Sequence, residues 1–455
     1  MAPSSRSLQL AEAVYDITWS DLPERVQRLA LRAYKDIVGV TVGGSAVRSS
    51  RIAAMVGVRP PSGAAAQRRP FIPAAMPAFA YGIAASSLDY DDGHNLAGIH
   101  PGAVVVSALL AAVESGIQLE LEAFLTAQVL GYELALRAGR ILFVRGTEET
   151  HCSGTAGAIG AAAAVGKVLG LGKSQLVAAM EIAWAHAPVA SLQLSQVKES
   201  VGWGAHTGFV SACLAEAGFG GQRGLPGFPS ATPFDWDRAE NLWSSCPFGE
   251  HFEIDTLYFK PYACCRYIHS AIDALDEQMR QGGLSEDEIG ALRVFVPSCA
   301  ASLTEQQPRS LEEAQYSFPF ALACHAVQGG VTHHELSERH LRDEQILDFA
   351  SRVHVEQDKE MDQLFPSHRP ARLEIEDRYG NISSAIWTSA TGDPSRPMST
   401  EMLDKKFDQL VKPLLDDSGW RRLKEDVTTF GSPDTVSGAV KRLASLRDAL
   451  MMEGD

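Results

Sequence analysis

The chain has 455 residues, 45% of them hydrophobic and 21% charged, which is ordinary globular usage and sets aside disorder and fibrous repeats. Its 56 acidic and 40 basic residues give a formal charge of -16, which would repel a phosphate backbone and argues against nucleic acid as a partner. Seven cysteines include no CxxC pair, and an odd count leaves at least one without an intrachain partner, so reduced thiols in a cytoplasm are expected.

Residues 1–20 contain no apolar stretch behind a basic region, so no signal peptide is expected. The longest alanine-rich run, 156–171, is interrupted by Lys167 and falls short of the roughly 18 apolar residues a membrane span needs, so no membrane partner is expected. The first 240 residues carry alanine and leucine at helical spacing. Pro23 suits the first turn of a helix that turns Val26, Leu29, Ala30, Ala33 and Ile37 inward. Further helices are predicted at 75–88, 103–115, 121–138, 157–169 and 174–185, several of them apolar nearly all round and so suited to a helical core. The glycine- and proline-dense stretch 218–236 marks a crossing toward a second domain. Beyond it, 292–296 and 353–355 read as strands and 373–386 as a hairpin turning at Tyr379-Gly380-Asn381. After 395, Met402, Phe407, Leu410 and Leu414 restore helical spacing, with a last segment near 436–450. The expected organisation is a helical domain over 1–254, an α/β domain over 255–394 and C-terminal helices over 395–455 that return to the helical domain.

Three apparent motifs fail on chemistry. Gly170-Leu171-Gly172-Lys173-Ser174 lacks the earlier glycine of a phosphate loop, where Lys167 stands, and follows a helix instead of a strand. His333-His334-Glu335 is followed by Glu338 where a zinc-protease helix needs a second histidine. Asn381-Ile382-Ser383 matches a glycosylation sequon, but turn chemistry explains that asparagine. With no metal-ligand spacing and no cofactor fingerprint, the expectation is a protein that uses neither metal nor cofactor, whose activity survives a chelator.

One constellation remains. Asp89, Asp91 and Asp92, followed by Gly93, His94 and the run His100-Pro101-Gly102, gather carboxylates and histidines just ahead of an apolar helix, which is costly unless they are paired or used. His151 opens the run His151-Cys152-Ser153-Gly154-Thr155-Ala156-Gly157 at the start of another alanine-rich helix, whose N-terminal amides attract anions. Lys198 follows apolar and small residues and precedes Gly202 and Gly204, which suggests a loop lining a cavity. Lys260, Arg266 and His269 share the segment 259–269 with vicinal Cys264 and Cys265, and cations in such surroundings commonly serve an anion. The two thiols read as small packing residues.

These same segments, DYDD with HPG, HCSGTAG, KPYACCRYIH, AQYSFPFALA from Ala314 and DKKF at 404–407, resemble the MmgE/PrpD family over most of the chain. That family includes 2-methylcitrate dehydratases, cis-aconitate decarboxylases and iminodisuccinate epimerases. The resemblance implies a mostly α fold, with a large all-helical domain and a smaller α/β lid, assembled as a homodimer around a small carboxylate substrate. It places His151, His100, Asp89 and Lys198 where the family's decarboxylases have pocket residues, and the expected catalytic roles are His151 and His100 as base and acid with Asp89 setting the tautomer of one of them. Substrate binding falls to Lys260, Arg266, His269, Asp92, Gly93 and Phe320. Gly93 stands where the decarboxylases carry threonine, and Phe320 where they carry a pocket tyrosine, which weakens a decarboxylase assignment; dehydration of a 2-methylcitrate-like acid is expected because dehydratase-like members are the broadest part of the family. Decarboxylation, epimerisation and a non-catalytic ligand-binding role are the alternatives.

Overall fold

The computed structural model describes residues 15–58, 75–142, 150–151, 153–191, 194–220, 249–430 and 435–452. The crossing expected at 218–236 lies outside these from residue 221 onward. The fold is mostly α, and the chain divides into two compact units.

The first unit comprises Met1–Ser87, Asp91–Leu257 and Leu403–Asp455. Its helices run α1 (Glu24–Ser45), α2 (Arg48–Val58), α3 (Ala75–Ser86), α4 (Pro101–Glu114), α5 (Leu121–Leu142), α6 (Ser153–Val168), α7 (Lys173–Ala185) and α8 (Leu194–Glu216). Pro23 is the N-cap of α1, and Val26, Ala30, Ala33 and Ile37 are buried at three- and four-residue spacing, the period of one helix face. In α4 every residue from Pro101 to Val113 is buried, because this helix packs on α3, α5, α6 and α8 and so has no solvent face to keep polar. Two short antiparallel strands, β1 (Thr150–His151) and β2 (Ala190–Ser191), set His151 opposite Ala190.

Helix α8 corrects the sequence reading, which treated the approach to Lys198 as loop. Its glycines are contact points for neighbouring backbones. A Cβ on Gly204 would stand 2.6 Å from the Gly154 carbonyl oxygen, and one on Gly154 would stand 2.1 Å from that of Ser200. Glycine therefore marks a close crossing of α6 and α8 and not a break in the helix.

The second unit comprises Leu88–Tyr90 and Tyr258–Met402. It holds helices α9 (His269–Gly282), α10 (Phe318–Gln328) and α11 (Glu344–Ser351), with strands β3 (Ile289–Val296), β4 (Val353–Gln357), β5 (Ala371–Asp377) and β6 (Ile382–Trp387). The sheet order is β4-β3-β5-β6, with β3 parallel to β4 and antiparallel to β5, and β5 antiparallel to β6. In β5, Ala371, Leu373 and Ile375 are buried at alternate positions, and α9 packs on β5 and β6. The hairpin turns where expected: Asp377 accepts from the main-chain N–H of Tyr379 and Asn381 at 2.8 and 2.9 Å and from Asn381 Nδ2 at 2.8 Å.

The chain ends in α12 (Thr400–Val411), α13 (Asp417–Asp426) and α14 (Thr435–Met452), and from Leu403 it is part of the first unit. Here the DKKF segment docks on α1. Lys406 Nζ meets Asp36 Oδ1 at 2.7 Å with both side chains buried, and Lys35 pairs with Asp404. On α14, Arg447 grips Glu114 of α4 in two-pronged fashion at 2.8 and 3.0 Å.

Candidate active-site residues

In the first unit the arrangement begins with Asp92, which is fully buried. Its Oδ1 accepts from the Gly102 main-chain N–H at 3.0 Å and its Oδ2 from the Tyr132 hydroxyl at 2.7 Å. Burial pushes its carboxyl up to about 7, while the hydrogen bond from Tyr132 pulls the other way and the nearby charge of Asp91 adds to the rise. The main-chain carbonyl of Asp92 accepts from His100 Nδ1 at 2.7 Å, and Asp91 Oδ2 lies 3.6 Å from the same nitrogen. A carbonyl can only accept, so Nδ1 carries a proton and Nε2 is the nitrogen that can take up or release one. The contacts at Nδ1 hold the imidazole in one orientation.

His100 is the N-cap of α4, with Pro101 in the first turn, so the chain enters the helix at a fixed angle. Its main-chain N–H donates to Ser153 Oγ at 3.0 Å. Ser153 begins α6 two residues after His151, so the structure brings the HPG and HCSG segments together. The backbone of His151 is described as part of β1, whereas its side chain lies outside the described part of the structure. Gly93 is buried beside Asp92. His94 closes the loop before His100: its Nδ1 accepts from the Ala97 N–H at 3.0 Å, its Nε2 meets Thr256 Oγ1 at 2.6 Å, and its main-chain N–H bonds to Ile99 O at 3.0 Å.

Lys198 is in the first turns of α8 and is 3% exposed. Its ammonium donates to the carbonyls of Ser86 and Ser87 at 3.1 and 2.6 Å, where α3 ends and leaves acceptors unsatisfied. The expected cavity-lining loop lysine is thus a buried helix residue that caps the end of another helix.

In the second unit, Asp89 adopts φ +48°, a left-handed backbone uncommon outside glycine. Lys260, with no exposed surface, donates to the Asp89 carbonyl at 2.9 Å and to its carboxylate at 3.1 Å. The contacts to His100 Nδ1 described above come from Asp91 and Asp92. Arg266 pairs with Asp393 at 2.6 Å and stacks over Tyr258. His269 is fully buried; its Nδ1 meets Arg266 Nη1 at 2.9 Å and its Nε2 meets the Cys264 carbonyl at 3.1 Å. Arginine can only donate and a carbonyl only accept, so this imidazole is neutral with the proton on Nε2. Burial raises both neighbouring thiols, Cys265 to about 12, which keeps them protonated as packing groups. Phe320 is fully buried in the first turn of α10, where its N–H donates to the capping Ser317 hydroxyl at 2.9 Å.

Residues 8–226 match the MmgE/PrpD N-terminal domain and residues 262–429 the MmgE/PrpD C-terminal domain. The chain belongs to the MmgE/PrpD family. Among its relatives is the cis-aconitate decarboxylase of Aspergillus terreus (strain NIH 2624 / FGSC A1156), 24% identical over 380 residues, 75% of this chain and 75% of that protein. The human cis-aconitate decarboxylase is 24% identical over 399 residues, 83% of this chain and 77% of that protein. A cis-aconitate decarboxylase-like protein of Aspergillus oryzae is 23% identical over 388 residues, 77% and 78% of the two chains. These relationships support a lyase-type member of the MmgE/PrpD family. Among the described residues no helix is long and apolar enough to cross a membrane.

Tyr132 and Ser153 are the polar groups at this arrangement that the sequence reading did not single out. A lone tyrosine in an apolar helix reads as packing. Its signal is that it stands three and four residues from Gln128, Val129, Leu136 and Ala135, all fully buried, so its hydroxyl must find an internal partner.

Proposed function

We propose that this MmgE/PrpD protein is a lyase acting on a small di- or tricarboxylate, with His100 as the proton carrier. The observation that carries the reading is the hold on His100: Nδ1 is committed to the Asp92 carbonyl at 2.7 Å, which directs proton exchange to Nε2. Loss of carbon dioxide from carbon next to a carboxylate leaves an electron pair that a proton from Nε2 can quench. Dehydration runs the same group in the other sense, with Nε2 removing a carbon-bound proton while the hydroxyl takes a proton from a second acid and departs as water. His151 is kept as the second acid or base, supported by its place two residues before the serine that His100 binds. Lys260 and Arg266 are kept as the carboxylate-holding groups of the second unit, with His269, whose two ring nitrogens are engaged by Arg266 and the Cys264 carbonyl, kept as the group that positions Arg266. Cytoplasmic location and a homodimer belong to the same proposal.

The names of the relatives make decarboxylation of a cis-aconitate-like acid the first reaction to test. Dehydration of a 2-methylcitrate-like acid is the second reading, favoured by Phe320, which brings no hydroxyl to its position. A proton NMR time course of the purified chain in deuterated water, with cis-aconitate, 2-methylcitrate, citrate and aminated succinates, separates them. Loss of carbon dioxide supports the first reading and loss of water the second; deuterium exchange at one carbon without loss of either marks an epimerase. No change in any of these acids would count against the lyase proposal.

A further inference from the structure

Behind His100 is a second layer of contacts in which one buried hydroxyl has no packing role that a phenyl ring could not fill. Tyr132, on α5, is fully buried and its hydroxyl donates to Asp92 Oδ2 at 2.7 Å. Asp92 Oδ1 is held from the other side by the N–H of Gly102, at the start of α4. The same residue's carbonyl receives His100 Nδ1. One aspartate thus links a tyrosine on α5, the first turn of α4 and the imidazole.

Gly102 gives an independent sign that this layer is built closely. A Cβ there would stand 2.4 Å from the Tyr132 hydroxyl and 2.7 and 2.8 Å from the two carboxylate oxygens of Asp92. The HPG run therefore has a physical account: histidine presents the ring, proline starts the helix, and glycine leaves room for the tyrosine and carboxylate to meet. The loop from 92 to 102 is further pinned by the His94 N–H to Ile99 O bond and the Gly98 N–H to His94 O bond, at 3.0 and 2.9 Å.

We propose that Tyr132 is a positioning residue for His100, fixing through Asp92 which ring nitrogen of the imidazole carries the proton. Without the hydroxyl, Asp92 keeps one of its two anchors, its carbonyl gains freedom, and the proton redistributes between Nδ1 and Nε2. The imidazole is then in the wrong tautomer for part of the time. This rests on the reading of His100 as proton carrier, and the test keeps the two apart.

The test uses Tyr132→Phe, which preserves the ring and removes the hydroxyl. In the full chain labelled with 15N-histidine, without any added acid, the His100 resonances are assigned by their loss in His100→Gln. The wild type should show Nδ1 as the protonated nitrogen. Tyr132→Phe should show averaged shifts for the two nitrogens, with turnover of the reactive acid of the panel lowered by roughly 10- to 100-fold, KM changed little and the pH profile displaced. Gly102→Ala, which forces the same contact apart, should move the tautomer in the same direction. An unchanged His100 tautomer in Tyr132→Phe would overturn the proposal even if turnover fell. Full turnover in His100→Gln would instead remove the proton-carrier reading, while the tautomer result would still decide the positioning role.

Discussion

At the scale of single residues, Asp92 has two jobs that pull against each other. Its main chain orients His100, and its carboxyl occupies a site where charge is disfavoured, with its pKa raised from 3.8 to about 7 by burial. Between those two values the folded chain keeps a proton that the unfolded chain releases, so stability falls as pH rises through that window. Glu133, also buried and raised to about 7, acts in the same direction. Replacing Asp92 with Asn removes the titration while keeping an acceptor. Urea unfolding of Asp92→Asn from pH 4 to pH 8 should show a shallower loss of stability than the wild type, and parallel curves would refute the raised carboxyl. The aspartates and His100 were legible in the sequence as a costly cluster; which of them touches which was not. The decisive contact uses a main-chain carbonyl, and Tyr132 reaches Asp92 across 40 positions of chain.

Among the secondary-structure elements, what the sequence showed depended on whether its signal was local. The 121–138 helix and the 373–386 hairpin announced themselves through periodicity and turn residues, and both are present as α5 and the β5–β6 pair. Helix α8 did not, because its glycines, which read as breaks along the chain, are contacts in space. The DKKF segment shows the same limit in reverse. It carries part of the family resemblance, yet in the first unit Lys406 and Asp36 form a buried pair that docks α12 on α1. Removing one partner of such a pair leaves a buried charge uncompensated, typically at about 3–5 kcal/mol, whereas replacing both with apolar residues is often nearly neutral. Thermal unfolding of Lys406→Met should therefore show a large loss of stability that Asp36→Leu combined with Lys406→Met largely restores; equal losses in the two would refute the docking role.

For the whole molecule, a formal charge of -16 means that the proposed polycarboxylate substrate would have to be met by locally placed cations against an unfavourable overall field. The three buried cations expected at the site are already engaged: Lys198 by the carbonyls of Ser86 and Ser87, Lys260 by Asp89, Arg266 by Asp393. Each is thereby fixed in position, which fits groups whose task is orientation. The mostly helical character and the family were readable from composition and motifs. Proton transfer beside a carboxylate is what the family resemblance implied, and the proposed function keeps it. The account stands or falls on His100. The most direct measurement follows product formation by wild type and His100→Ala in deuterated water, using the acid that reacts in the panel, with circular dichroism to confirm the fold. The account predicts a loss of turnover of about 100-fold or more with the spectrum unchanged. Turnover and deuterium incorporation equal to wild type in a folded His100→Ala would contradict it.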